Sequence, residues 1–202
     1  MKVALLVLSV CASSCAAAPI PRIGGDAAPA VSDAADEAKY QSVLEAHTKS
    51  QAIYDNLDQK CFVHATIQSP QYVEARLARE AVFRSLPADE IAKARAAEQV
   101  RLSDATEFMM GTYTADFRWD DFQRPNSMWR IALVVGEREL TPTSVTRVGR
   151  ATADLRSFYP YLESFWVAYR VRFPKIEARA GETIRLKLSS SLGRAELPFI
   201  VE

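Results

Sequence analysis

The sequence predicts an α+β protein: an N-terminal helical hairpin or three-helix segment followed by a small antiparallel β-sandwich. Two patterns carry the expectation. Apolar residues between 37 and 112 recur at helical spacing, whereas between 113 and 202 they alternate with polar ones. Composition agrees with a folded chain. Of 202 residues, 49% are apolar and 25% charged, enough for one sizeable core or two small ones. Basic and acidic residues balance at 25 each, so no overall field exists to draw nucleic acid.

The chain opens with Met1-Lys2 and then an apolar run from Val3 to Val10. A short apolar stretch behind a basic start fits a signal peptide over 1–14 and is too short to span a bilayer. Ala12-Ser13-Ser14-Cys15 follows, with small residues ahead of a cysteine. This segment resembles the lipobox of bacterial lipoproteins. It departs from that pattern at Ala12, where Leu or Val is usual. The competing Leu8-Ser9-Val10-Cys11 has the Leu, but it places bulky Val10 at the cleavage position and shortens the leader. The resemblance covers only the first fifteen residues. It implies cleavage before Cys15, palmitate-type acyl chains on that residue, and a membrane as partner. Ala16, in place of Asp, goes with outer-membrane sorting in that family, so the expected address is the cell envelope, on the periplasmic or surface face. Each buried CH₂ of such a chain contributes about 0.8 kcal/mol, which makes several chains a stable anchor.

Residues 15–36 read as the lipidated cysteine and a disordered tether. Ala, Pro and Gly dominate and no apolar period appears. About 20 residues of coil reach roughly 25 Å.

Ser32-Asp33, with Asp36 and Glu37 behind, reads as a helix start. Tyr40, Val43, Leu44, His47, Tyr54, Leu57 and Cys61 then follow at spacings of three, four or seven, predicting one helix to about residue 60. Cys61 to Ile67 is β-branched and ambiguous. Ser69-Pro70 begins a second helix, with Ser as cap and Pro in the first turn. Leu86-Pro87 ends it and opens a third, whose inner face would hold Ile91, Ala94, Leu102, Ala105 and Met109.

From Tyr113 the period becomes two. Tyr113, Ala115, Phe117 and Trp119 form one set, and Trp129, Ile131, Leu133 and Val135 a second. Phe165, Val167, Tyr169, Val171 and Phe173 form a third, Ile184, Leu186 and Leu188 a fourth. Ala195, Leu197, Phe199 and Val201 complete the series. One apolar and one polar face per strand is the pattern of an antiparallel sheet. Ser190 to Arg194 would turn the last hairpin.

Chemistry is sparse. Cys61 and His64 would share one helix face, but a metal site needs more ligands than they and nearby Asp55 and Asp58 supply. As a nucleophile, Cys61 would need His64 or His47 as base and a third group to orient it. Asp120 and Asp121 are adjacent, so on an extended chain they point apart and read as a loop. The aromatic cluster Phe158, Tyr159, Tyr161, Phe165, Trp166 and Tyr169 contains a candidate ligand surface, with Trp166, Tyr159 and Tyr161 foremost and a glycan or peptide as ligand. Arg147, Arg150, Arg156, Arg170 and Arg172 are candidates for anions. No catalytic, cofactor, metal or nucleotide motif appears.

The resulting expectation is a lipid-anchored envelope protein acting as a non-catalytic binding or scaffold module, with an envelope protein or a glycan as further partner. The alternatives are a cell-wall or polysaccharide hydrolase with dispersed site residues, and an assembly subunit. A hydrolase would gather His47 or His64 with carboxylates in a cleft.

Overall fold

A computed structural model describes residues 34–201. The leader, Cys15 and nearly all of the tether lie outside the described residues. Four helices and two antiparallel sheets, of five and four strands, make up the fold. Helix α1 (Ala34–His47) leads directly into β1 (Thr48–Asp55), which pairs with β2 (Asp58–Ile67). Two helices follow, α2 (Pro70–Arg84) and α3 (Ala88–Asp104), then β3 (Ala105–Thr114). After a short 3-10 turn at Phe117–Trp119 come β4 (Arg130–Val135), β5 (Arg138–Leu140) and β6 (Ser144–Arg150). Helix α4 (Ala153–Phe158), β7 (Val167–Pro174), β8 (Thr183–Ser190) and β9 (Gly193–Ile200) complete the chain.

The five-stranded sheet has the order β1-β2-β3-β7-β6, and the four-stranded sheet β5-β4-β8-β9. One core lies between the sheets. Cys61, Val63, Phe108, Met110, Tyr169 and Phe173 meet Ile131, Leu133, Leu186, Leu197 and Phe199 there. A second core covers the other face of the five-stranded sheet. Tyr40 and Leu44 of α1, Tyr72 of α2, Phe158 of α4 and the segment through Tyr159, Tyr161, Leu162 and Trp166 pack on Met109 and Ala168. The layers are therefore helices, sheet, sheet.

Several expectations need correction. The single helix to residue 60 is a helix to His47 and then a hairpin. Asp55-Asn56-Leu57-Asp58 makes the turn, and Asn56 supplies the left-handed conformation at φ 55°. The helical spacing was a coincidence: Tyr40, Leu44 and His47 are the buried face of α1, whereas Tyr54 and Leu57 are exposed on the hairpin and Cys61 faces the inter-sheet core. Three strands thus lie inside the 37–112 stretch read as helical, and β3 runs through the 112/113 junction. β3 hid because it is buried on both faces: Phe108 and Met110 point into one core, Met109 into the other. Such a strand shows no alternation, and here the short apolar run Phe108-Met109-Met110 is flanked by buried polar Thr106, Glu107 and Thr112. The set 113–119 is the end of β3 and the 3-10 turn, not a separate strand. The Ser69-Pro70 start is as expected: Ser69 Oγ accepts from Tyr72 N at 3.1 Å, with Pro70 in the first turn. The strands carrying Ile131, Tyr169, Leu186 and Leu197 also match the alternation.

Candidate functional site: an arginine-lined cleft

The residues weighed for metal or thiol chemistry do not meet. Cys61 and His64, three apart on a strand rather than a helix, face opposite sides of the five-stranded sheet. Cys61 is fully buried between the sheets, and burial pushes its thiol up to about 12, away from thiolate chemistry. His64 lies under the helical layer, stacked on Tyr161 with centroids 5.0 Å apart and edge-on to Trp166 at 4.9 Å. Burial pushes its imidazole down to about 4. His47, at the end of α1, has its ring 6.1 Å from Tyr72, and its Nδ1 lies 2.7 Å from the Val43 carbonyl. Among the described residues no group of three or more His, Cys, Asp or Glu side chains is placed to hold a metal ion.

Trp166, Tyr159 and Tyr161, read from the sequence as a ligand surface, are buried in the second core. Their rings cover the five-stranded sheet, where Tyr161 donates or accepts at Thr66 Oγ1 over 2.8 Å and Trp166 stacks on Phe62. Trp166 does lie on the face of β7 opposite the inter-sheet set, but helices and loop cover that face. Gly111 explains how closely: a Cβ there would run into Leu162 Cδ2 and lie 3.2 Å from Tyr161 Cε2. Only Phe165 of that cluster stands in solvent.

A cavity of about 750 Å³ opens at one end of the five-stranded sheet. Its charged lining is Asp120, Arg124, Arg147 and Arg150, three cations against one anion, a net of +2. Phe117, Phe165 and Tyr113 supply its apolar wall. The way β6 builds this site is local. Arg147 and Arg150 are three residues apart, so a regular strand would aim them at opposite faces. A bulge at Val148 intervenes, and Arg147 then pairs with Tyr169 and Arg150 with Val167. Those partners share one face of β7, so both guanidinium stems do too. Gly149 makes the bulge with φ 119°, a conformation that side chains disfavour.

Within the cleft, Asp120 is already engaged. Tyr169 donates its hydroxyl to Asp120 Oδ1 at 2.5 Å, and Arg147 Nη2 donates to Oδ2 at 3.1 Å. Burial, then the Asp120 carboxylate, holds the Tyr169 phenol above its ordinary range. Asp121 turns elsewhere, accepting from Ser127 Oγ and Met128 N. Arg124 and Arg150 have no ion-pair partner among the described residues. Gln123, also in the lining, has a buried side-chain oxygen with no hydrogen-bond partner among the described residues. Arginine forks beside exposed rings can hold an anionic group attached to an apolar body.

Of the other sequence-marked arginines, Arg172 Nε lies 2.8 Å from Glu107 Oε1. That is ion-pair range without hydrogen-bond alignment, so it supplies charge attraction alone. Arg170 borders a different cavity beside Arg101 and Glu107, and Arg156 reaches Ser164. The sequence marked Arg147 and Arg150 but missed Arg124 and the exposed Phe117. The Val148-Gly149 pair inside an otherwise polar strand was the available sign of a bulge.

No protein-family model matches this sequence, and no curated protein does either.

Proposed function

We propose that this protein is a lipid-anchored component of the cell envelope, acylated on Cys15 at the outer membrane, and that it acts as a non-catalytic binding or scaffold module. In this reading the two facing sheets are a β-sandwich carrying a helical layer, and the arginine-lined cleft is where the module takes its ligand. The observation that carries the binding role is the cleft itself: Arg124 and Arg150 stand beside exposed Phe117 and Phe165, and the one carboxylate is held by Tyr169 and Arg147. Neither histidine of the chain lines it. The anchor rests on the leader and on Ala12-Ser13-Ser14-Cys15.

Mass spectrometry of the N-terminal peptide from native envelope fractions tests the address. An acylated peptide starting at Cys15 is the expected result, and Cys15→Ala should abolish the acylation. An unacylated N-terminus, beginning elsewhere, would remove the anchor from this reading.

A further inference from the structure

We propose that the cleft end of the five-stranded sheet is a membrane-docking surface for anionic phospholipid headgroups. The inference rests on the membrane-anchored reading and adds a second contact, made by the folded part.

The strand pairings place the relevant residues together. Cys61 pairs with Thr114, Thr112 with Val167, and Val167 with Arg150. The β1–β2 turn, the Phe117 turn, Phe165 and the Val148 bulge therefore lie at one end of the sheet. Most of the large apolar side chains standing in solvent are there. Leu57 is 97% exposed, Phe117 86% and Phe165 74%, with Tyr54 and Val148 beside them. The others, Val82, Val100 and Ile200, are dispersed over α2, α3 and β9. Dispersed apolar residues are ordinary, but a concentration at one end marks an interaction surface.

Lipid suits this surface better than a protein partner. The apolar groups project from separate turns rather than forming one flat patch. Each can enter an acyl interface on its own, without a shaped pocket to receive it. Within the cleft the charge is complementary as well, while on the turns around it Asp116 is paired with Arg118. Arg124 and Arg150 face the cleft without ion-pair partners among the described residues, and guanidinium forks match phosphate oxygens. A cleft of about 750 Å³ has room for a headgroup, and the buried Gln123 oxygen that lines it, without a hydrogen-bond partner among the described residues, can accept from a headgroup hydroxyl such as that of phosphatidylglycerol. Asp55 and Asp58 flank Leu57 but lie 3.8 and 3.5 Å from Lys60, which offsets part of their charge.

The test uses residues 16–202, which include every residue of both cores and lack the acylation site. Cosedimentation is measured with vesicles of phosphatidylcholine alone and of phosphatidylcholine with phosphatidylglycerol. Binding is expected only to the anionic vesicles and should weaken with salt. Arg150→Gln should lower the apparent affinity about fivefold, the factor equivalent to about 1 kcal/mol per basic group at an anionic surface. Leu57→Ser should lower it too, and both variants replace solvent-facing side chains, so circular dichroism should stay that of the parent. Three results would each overturn the proposal: equal partition to both vesicle types, no effect of either substitution, or Arg150-dependent binding of a soluble oligogalacturonate with no vesicle binding. The last would make the cleft a site for acidic glycans. None of these outcomes bears on acylation of Cys15, which the N-terminal mass decides separately.

Discussion

At the scale of the residue, His64 is the group most sensitive to its surroundings. Its ring is enclosed by Tyr161 and Trp166, and burial pushes its pKa down from 6.5 to about 4. In the unfolded chain it protonates near 6.5. Between those values the unfolded state binds more protons, so acidification favours unfolding. His64 therefore costs nothing above about pH 6.5, loses stability steadily down to about pH 4, and adds no further loss below that. The full span amounts to about 3 kcal/mol at 1.36 kcal/mol per unit. Urea unfolding at about pH 7 and about pH 4.5 should reveal most of this loss in the parent and a much smaller one in His64→Phe, which keeps a ring against Tyr161. Equal losses in the two proteins would assign the acid sensitivity to other groups. The placement of His64 also marks what single residues concealed. Its spacing from Cys61 is compatible with one helix face or with opposite faces of a strand, and only the neighbours across the sheet decide between them. The same holds for Trp166. Its position opposite the inter-sheet set of β7 was legible, but the rings it packs against, Phe62, His64 and Tyr113, come from a distant part of the chain.

At the scale of the element, legibility followed the number of buried faces. β4, β8 and β9 each bury one face, and their alternation declared them. β3 buries both and gave no period. Helix α2 was legible through its Ser69-Pro70 cap, whereas its buried side is Tyr72, Val73, Leu77 and Arg79 and Val82 stands exposed. Helix α3 was legible through the Leu86-Pro87 break, but the inner face expected for it is absent: the helix ends at Asp104, Ala105 and Met109 belong to β3, and no side chain of α3 is fully buried. Charge attaches it instead. Arg76 of α2 donates to Glu98 at 2.7 Å, Arg95 pairs with Glu74 at 2.8 Å, and Arg101 bridges Glu98 and the buried Glu107 of β3. Lys175 Nζ adds a hydrogen bond to the Leu102 carbonyl. Ion pairs at partly exposed positions are screened by salt, whereas apolar burial is not. Amide exchange in α3 should therefore quicken when salt rises from about 0.1 M to about 1 M, while exchange in β3 and β7 holds steady. Glu98→Gln, which removes a carboxylate shared by two arginines, should produce the same local quickening at low salt. Uniform exchange rates across α3 and β7 under both salts would show that α3 is held by something other than its charges.

At the scale of the whole molecule, the decisive feature is how early and late segments interleave. β1, β2 and β3 precede β4 and β5 of the other sheet in the chain, and β6 and β7 follow them, yet the five form one sheet. The residues of β3 pair with β7 from Ala105↔Pro174 to Thr112↔Val167. That same sheet supplies one side of both cores, so neither the helical layer nor the four-stranded sheet has an apolar face it could bury alone. Even the far edges meet, because Gln51 of β1 accepts from Glu196 N of β9 at 2.7 Å, and Ile53 packs where a Cβ on Gly193 would fall. Cutting the chain between 112 and 113 would leave β6 and β7 without the strand that joins them to β1 and β2, and would open the Phe108, Phe173 and Phe199 cluster. A fragment of residues 113–202 is thus expected to lack fixed tertiary structure, and residues 16–202 to unfold in one transition that far- and near-ultraviolet circular dichroism report together. Two separated transitions in the longer chain, or a dispersed amide spectrum from the fragment, would mean that the four-stranded sheet closes a core of its own. In that case β3 would be a joint between two folding units rather than the strand on which both cores depend.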